Sequence, residues 1–308
     1  MVNFDAKERK KQMENLKAGF VTLIGKPNVG KSTLINQLVG EKIAITSVRP
    51  QTTRNIIRGA VTFDEAQVIF LDTPGILNLT QVKNLVDRHI IEEALKSLEG
   101  VDLIAVIVEP LTVSPEDRFI LENLKNIPKP VFLVINKIDK IKPHELDSIK
   151  REYETLFSFA KIVPISAKKG TNLSILMGEI IQHLPLHPAY YDSDFITDQP
   201  ERILVGELIR EKIFDLTHDE IPYSVMLKVD QFEERPQDLI YIRASIYVEQ
   251  ASQKGILIGK SGKMIKNIGS LARKEIEKHL GCRIYLDLWV GIKKQWRRHK
   301  ESLKELGY

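Results

Sequence analysis

The sequence predicts two domains in series, an α/β domain with a mostly parallel sheet and helices on both faces, then a smaller α+β domain. Three observations carry this expectation. Between residues 19 and 184, short runs of Val, Ile, Leu and Phe alternate with stretches of helical spacing, as for doubly covered strands joined by crossover helices. Residues 185–200 (PLHPAYYDSDFITDQP) hold three Pro, three Asp and no helical period, and read as a linker. Finally, the formal charge of +4 is unevenly spread: 14 Lys or Arg face 5 Asp or Glu from Gln253 to Tyr308, a net of +9, leaving −5 for residues 1–252. A basic C-terminal quarter is the footprint expected of a polyanion partner, the alternative being accidental clustering on a solvated surface. With 308 residues the chain is long enough for two separate cores.

In chain order, residues 1–18 form a mixed-charge tail. The apolar runs Phe20–Ile24, Val68–Leu71, Leu103–Val108, Val131–Ile135 and Ile162–Ile165 predict buried strands, with a further strand around Gly59–Phe63, and Ile91–Leu98 and Leu173–Leu184 have helical spacing. Past the linker, in residues 201–308, Glu201–Phe214 reads as an amphipathic helix. Ser224–Asp230 and Leu239–Val248 read as strands around a polar turn, Phe232–Asp238. A Gly-rich loop, a helix Ser270–Leu280 and an alternating strand Arg283–Val290 complete the order. The composition, 43% hydrophobic and 28% charged with 17 Gly and 14 Pro, excludes collagen-like, coiled-coil and wholly disordered chains. The lone Cys282 excludes an internal disulfide and a cysteine zinc site, and reads as a small packed residue. No apolar run reaches the ~18–20 residues of a membrane span, and residues 1–18 have no apolar secretion core, so the expected location is cytoplasmic. His218, His279 and His299 lack metal-ligand spacing and read as surface residues.

The chemistry is concentrated in motifs at the ends of predicted strands. Gly25-Lys26-Pro27-Asn28-Val29-Gly30-Lys31-Ser32, followed by Thr33, fits GxxxxGK[ST] after the run Phe20–Ile24. Glycines let backbone N–H groups converge on phosphates, and the following helix turns its positive end toward them. Lys31 is expected at the β- and γ-phosphates and the Ser32 hydroxyl on Mg²⁺. Asp72-Thr73-Pro74-Gly75 follows Val68–Leu71, with Asp72 suited to hold Mg²⁺ through water and the Gly75 N–H to meet a γ-phosphate. Asn136-Lys137-Ile138-Asp139 follows Val131–Ile135. A carboxylate at Asp139 can accept the N1 and 2-amino hydrogens of guanine, which adenine does not offer, and such polar readout can reach about 10⁴–10⁵ in discrimination. Ser166-Ala167-Lys168 follows Ile162–Ile165, its backbone suited to the guanine carbonyl. Gln51-Thr52-Thr53-Arg54 lies where GTPases order a segment around γ-phosphate and Mg²⁺, with Thr53 the favoured metal-binding hydroxyl and Thr52 the alternative.

This ordered set, GxPNVGKS, TTR, DTPG, NKxD and SAK, resembles bacterial translation-factor-class GTPases of the TrmE–Era group. After Gly75 stands Ile76, where Ras-like GTPases carry the glutamine that orients the attacking water. An aliphatic side chain cannot make that hydrogen bond, so slow unassisted hydrolysis is expected. The resemblance also implies that Asn28 takes part in catalysis by helping to bind K⁺ beside the phosphates. The other reading of Asn28 is a loop-shaping residue.

Two glycines three apart are expected about once by chance in a chain of this length, so the setting of Gly259-Lys260-Ser261-Gly262 is what carries information. The apolar triplet Ile256–Ile258 precedes it, Lys260, Lys263 and Lys266 surround it, and helical spacing continues to Gly269. This suits a KH domain of the bacterial type (type II), in which a GxxG turn between two helices lets an RNA backbone approach, the lysines positioning phosphates rather than reading bases. In the basic run Lys293–Lys300, Trp296 is suited either to stack on a base or to pack under the domain, whereas Trp289 is assigned to the core.

One GTPase module followed by one KH domain is similar to the Era family, over about 285 residues from Gly19. Membership implies GTP and GDP as ligands, 16S rRNA near its 3′ end and the 30S subunit as partners, a role in 30S maturation, and some peripheral association with the inner membrane. No amphipathic anchor is evident for the last. A monomer is expected, since neither core requires a partner. The leading reading is a GTP-driven RNA-binding switch. The alternatives are a P-loop kinase or ATPase, disfavoured by Asp139, a passive RNA-binding scaffold with structural nucleotide, and a tRNA-modifying relative, which would need a C-terminal cysteine.

Overall fold

The computed structural model describes residues 16–47, 56–76, 91–92 and 94–298. The expectations at Gln51, Thr52, Thr53, Arg54, His299 and Lys300 lie outside these residues. The chain divides into two compact units between Asp198 and Gln199, with residues 45–47 counted to the second.

Among the described residues, the first unit is built on a seven-stranded sheet. Its strands are β1 (Leu16–Ile24), β2 (Ile57–Thr62), β3 (Ala66–Asp72), β4 (Leu103–Val108), β5 (Val131–Ile135), β6 (Lys161–Pro164) and the short β7 (Leu186–His187), in the spatial order β2-β3-β1-β4-β5-β6 with β7 beside β1. The pairs β3–β1, β1–β4, β4–β5 and β5–β6 are parallel, while β2 and β7 are antiparallel to their neighbours. Every residue of β3, β4 and β5 is buried, which is why these strands read as unbroken apolar runs rather than alternations. Among the described residues, helices between or after the strands include α1 (Lys31–Val39), α2 (Pro115–Leu124), α3 (Pro143–Glu154) and α4 (Leu173–His183), and residues 91–92 and 94–96 are also helical. Two apolar clusters result, one around Val21, Phe70, Phe132 and Leu176, the other around Ile104, Leu121, Leu133 and Tyr153. The parallel strands all end at one edge, so Gly25, Asp72, Asn136 and Ser166 emerge together, where open α/β sheets bind ligands.

Residues 185–200, expected as a linker, are instead held to the first unit as far as Asp198. β7 pairs with β1 at Leu16 and Lys17. The fully buried Gln67 accepts the Tyr190 and Tyr191 N–H groups at 2.7 and 3.1 Å and donates to the Tyr191 carbonyl at 2.9 Å. The Ala60 N–H donates to the Ile196 carbonyl at 2.8 Å, and Arg58 pairs with Asp198 at 2.7 Å. Proline and aspartate remove the helical period but leave an extended backbone whose polar groups a buried amide can satisfy.

The second unit packs α5 (Glu201–Leu216) and α8 (Lys263–Leu280) on one face of a three-stranded sheet of order β10-β9-β8. The strands are β8 (Met226–Arg235), β9 (Leu239–Val248) and β10 (Arg283–Ile292), with β8 antiparallel and β10 parallel to β9. The short helices α6 (Ile221–Ser224) and α7 (Ala251–Ile258) complete it. The turn expected at Phe232–Asp238 is shorter, because β8 bulges between Val229 and Gln231 and stays paired to Arg235. Gln237 and Asp238, with φ of 69° and 53°, then close a tight hairpin. No helix among the described residues is long and apolar enough to cross a membrane.

The two tryptophans settle oppositely to one expectation. Trp296 is fully buried and its indole N–H donates to the Ser224 carbonyl at 2.8 Å. Trp289, assigned to the core by its hydrophobicity, is 47% exposed, because its parity in β10 matches Tyr285 and Asp287 rather than Ile284 and Val290. Trp296→Ala should therefore destabilise the protein by about 3–5 kcal/mol. Trp296→Phe, which removes only the donor and some volume, should cost about 1–3 kcal/mol, while Trp289→Phe should stay within about 0.5 kcal/mol of the parent. Urea unfolding followed by circular dichroism distinguishes the three.

Candidate functional site

The loop from Gly25 to Ser32 leaves β1 and enters α1. Its glycines are there for close approach. A Cβ on Gly25 would stand 2.4 Å from the Ile107 carbonyl oxygen, and one on Gly30 would stand 2.4 Å from the Asn136 side-chain nitrogen. Gly30 also has a φ of 99° and Asn28 one of 66°, so the loop turns through left-handed backbone at two positions, one of them the conformation expected of a loop-shaping asparagine.

Asn136 joins three of the predicted motifs. Its Nδ2 donates to the Val29 carbonyl at 2.7 Å, and its Oδ1 accepts the Lys137 and Ala167 N–H groups at 2.8 and 2.9 Å. It is nearly fully buried, where an unmade hydrogen bond costs about 1–3 kcal/mol. Lys137 follows in left-handed conformation, its ammonium donating to the Asn28 carbonyl and pairing with Glu109 at 2.5 Å.

Lys31 is buried, its ammonium held by the Gly25 and Lys26 carbonyls at 3.0 and 3.1 Å. Burial pulls its pKa down to about 8, against the opposing attraction of Asp72. The Ser32 hydroxyl donates to Asp72 at 2.8 Å, both side chains being buried. One hydroxyl and one carboxylate side by side are hard oxygen donors that fit Mg²⁺, which commonly takes its remaining ligands from phosphate and water. Among the described residues no group of three His, Cys, Asp or Glu forms a metal cage of its own.

The segment after Asp72 is tied down. The Thr73 hydroxyl donates to the Leu23 carbonyl at 2.7 Å, and the Ile76 N–H donates to the Gly25 carbonyl at 3.1 Å. A Cβ on Gly75 would be 2.7 Å from Pro27, so Gly75 lies against the phosphate-binding loop. Two expected contact residues thereby take structural duties: the Thr73 hydroxyl is spent on β1, and the Ile76 side chain is fully buried in the apolar cluster with Leu71 and Ala94.

Asp139, at the first turn after Lys137, is exposed. The Ser166 hydroxyl donates to its carboxylate at 2.5 Å, and this hydrogen bond first, with the nearby Lys140 and Lys169 charges, holds its pKa below the usual carboxylate range. Asp139 therefore remains an acceptor across neutral and mildly acidic pH. Ile138 is half-buried beside it, Ser166 and Ala167 are buried, and Lys168 is exposed.

Sequence reasoning missed a set of anchors. Lys26 pairs with the buried Asp117 at 3.1 Å and reaches the Ser114 hydroxyl at 3.3 Å. Asp117 also accepts from Tyr153 at 3.2 Å, and burial, then the Asp117 charge, pushes the Tyr153 hydroxyl pKa up. The findable signal was the capping box Ser114-x-x-Asp117 that starts α2. Glu109, the partner of Lys137, carried no pattern.

In the second unit, α7 ends at Gly259, whose N–H closes on the Gly255 carbonyl at 2.9 Å. Gly259 (φ 69°), Ser261 (φ 53°) and Gly262 (φ 76°) make the turn into α8. A Cβ on Gly259 would meet Met264 at 2.7 Å, whereas around Gly262 there is open space. The chain is thus bare on the outside of the turn, and Lys260, Lys263 and Lys266 stand exposed about the N-terminus of α8, an anion-binding arrangement.

Two outcomes are expected at the first site. Between pH about 8 and 10.5 the folded chain binds fewer protons at Lys31 than the unfolded chain does, so this group makes stability rise with pH in that window. A polyphosphate favours the charged lysine, so its binding should take up a proton and weaken as pH rises from 8 to 9. Calorimetric titration in two buffers of different ionisation enthalpy measures that uptake. Second, Asp139→Asn should weaken GTP by roughly 10²–10³-fold, by loss of hydrogen bonds to a charged acceptor, and strengthen xanthosine triphosphate, as read by competition with a labelled nucleotide.

Comparison with known proteins agrees with both units. The family model described as 50S ribosome-binding GTPase matches residues 20–137, and the KH domain model matches residues 220–297. The chain is 48% identical to the GTPase Era of Halothermothrix orenii over 293 residues, covering 95% of this chain and 98% of that one. It is 46% identical to that of Alkaliphilus metalliredigens over 294 residues, covering 95% and 99%. A crystal structure of Era in complex with MgGDPNP and nucleotides 1506–1542 of 16S ribosomal RNA superposes with a TM-score of 0.92 at 40% identity, covering 95% of this chain and 99% of that one. An Aquifex aeolicus Era variant bound to GDP·AlF4⁻ gives 0.89 at 40% identity, with the same coverage. With a phosphate-binding loop and guanine-type motifs at one sheet edge and a KH domain following in the chain, this protein belongs to the Era family of GTPases.

Proposed function

We propose that this GTPase is an RNA-binding switch that recognises 16S rRNA near its 3′ end and acts in maturation of the 30S subunit. The observation that carries the reading is the joint presence of a guanine-selective edge and a bare, basic GKSG turn on a chain similar throughout to an Era that holds both MgGDPNP and a 16S rRNA fragment.

In this reading the backbone of Gly25, Lys26, Pro27, Asn28, Val29 and Gly30 cradles the phosphates and Lys31 neutralises the charge that develops on them. Ser32, Thr53 and, through water, Asp72 would hold Mg²⁺, which would neutralise phosphate charge, and the Gly75 N–H would meet the γ-phosphate. Asp139, Asn136 and the Ser166–Lys168 backbone take the base. Asn28 would help to hold K⁺ beside the phosphates, in a loop whose Asn28 and Val29 carbonyls are fixed by Lys137 and Asn136. Gly259 and Gly262 admit the RNA backbone, and Lys260, Lys263 and Lys266 attract its phosphates. GTP with Mg²⁺ favours the RNA-competent state, and hydrolysis reverses it. The protein works as a cytoplasmic monomer. The family resemblance supports a peripheral association with the inner membrane, and no anchor in the described residues adds to it.

The test is the affinity for a 16S rRNA 3′-end oligonucleotide in the presence of GDP and of a non-hydrolysable GTP analogue, with GTP turnover measured with and without the RNA. A coupling of about 5–150-fold between the two nucleotide states, with RNA-stimulated turnover, is the expected result. Equal affinities and unchanged turnover would leave a passive scaffold.

A further inference from the structure

We propose that the outer face of the second unit's sheet is a base-stacking platform for single-stranded RNA, taking bases beyond those at the GKSG turn. The proposal rests on the RNA-binding reading above and deepens it. In parallel register, Tyr241 of β9 lies beside Tyr285 of β10, Arg243 beside Asp287, Ser245 beside Trp289 and Tyr247 beside Gly291. These positions face away from the apolar cluster, and Tyr285 and Trp289 are 60% and 47% exposed.

The rings are held, not loose. Tyr241 and Tyr285 stack at 5.7 Å and 16°, with the Arg235 guanidinium 4.0 Å from the Tyr241 ring centre. Trp289 lies over Gly291 so closely that a Cβ there would stand 2.3 and 2.4 Å from two atoms of its indole. Tyr247 meets the same indole edge-on at 5.7 Å. A glycine that makes room for an exposed ring fixes that ring flat along the strand. Tyr285 and Trp289 are four residues apart, about 13 Å along β10, a separation suited to two different bases.

The surroundings favour nucleic acid over an apolar protein face. Between the two aromatic pairs lie Arg243 with Asp287 at 3.8 Å and Ser245 with Asp230 at 2.5 Å. Beside Trp289 is a depression of about 380 Å³ lined by Asp230, Gln231, Arg243, Ser245, Tyr247 and Trp289. Polar donors and acceptors beside a flat ring suit a stacked base with a hydrogen-bonding edge. Lys254 places its ammonium 5.8 Å from the Trp289 ring centre and belongs to α7, which runs into the GKSG turn five residues later. A cation thus marks the path from turn to platform. A KH turn engages about four nucleotides, so a longer strand has bases to place on these rings.

The experiment compares a 12-nucleotide single strand from the 16S rRNA 3′ end with a four-nucleotide segment of it, by fluorescence anisotropy on the full chain. Tyr285→Ala, Trp289→Ala and Gly291→Ala, each checked by circular dichroism, should weaken the 12-mer by roughly 5- to 100-fold and leave the 4-mer within about two-fold. Gly291→Ala keeps every aromatic and only displaces the indole, so its loss reports ring placement. Unchanged 12-mer affinity in the alanine variants, or equal loss of both strands, overturns the platform. So does a dimer in sedimentation that Trp289→Ala dissociates, which would assign the face to a second copy. Failure of the parent chain to bind either strand would instead overturn the RNA-binding reading itself.

Discussion

A single buried amide organises the nucleotide edge. Asn136 spends both ends of its side chain on backbone groups of three loops that leave three different strands, reaching Val29, Lys137 and Ala167. The geometry closes because Gly30 has no Cβ to stand in the way. Aspartate at 136 would lose the donor to Val29 and place a second acceptor against a carbonyl, and a longer amide would push the loops apart. Because the linked groups are backbone, their positions translate directly into where Lys31, Asp139 and Ser166 point. The Asp139 end and the Lys31 end of the site are therefore tied together by one residue whose side-chain hydrogen bonds go to backbone groups.

Around that hub the charges are sorted. Three lysines converge on the phosphate-binding loop, and two of them have carboxylate partners: Lys26 on Asp117 and Lys137 on Glu109. These two pairs tie the loop region to α2 and to the residue that follows β4. The third, Lys31, rests on two carbonyl oxygens with Asp72 attracting it from nearby, and burial depresses its pKa. The depression means that the fold holds this charge at a cost, which a phosphate relieves. The acids that neutralise Lys26 and Lys137 thus leave Lys31 as the cation whose environment improves most when a polyanion arrives.

What was legible in the sequence was whatever depends on near neighbours. Strand limits at Leu103–Val108, Val131–Ile135 and Leu239–Val248 agree with the structure residue for residue, because burial on both faces or strict alternation marks a strand locally. The motifs were legible for the same reason, each being a short run after a strand. The anchors were not: Gln67 holds Tyr190 and Tyr191 across more than a hundred residues, and Trp296 finds the Ser224 carbonyl 72 residues back. Trp289 is the instructive case. The alternation of Ile284, Leu286 and Leu288 with Tyr285 and Asp287 already put residue 289 on the outer face. Hydrophobicity argued for the core, and the pleat prevailed.

Ile76 shows how packing limits chemistry at this edge. The residue is fully buried against Leu71 and Ala94, and its N–H is committed to Gly25. The Thr73 hydroxyl and the contact of Gly75 with Pro27 fix the residues just before it. The side chain is therefore directed into the core by three constraints that do not depend on its being aliphatic. A glutamine placed there would bury an amide among apolar side chains, at a cost of roughly 1–3 kcal/mol, instead of presenting it to a water beside the phosphates. The aliphatic residue is thus the consequence of how this segment packs, and the Ile76 side chain, held in the apolar cluster, presents no group to a water beside the phosphates.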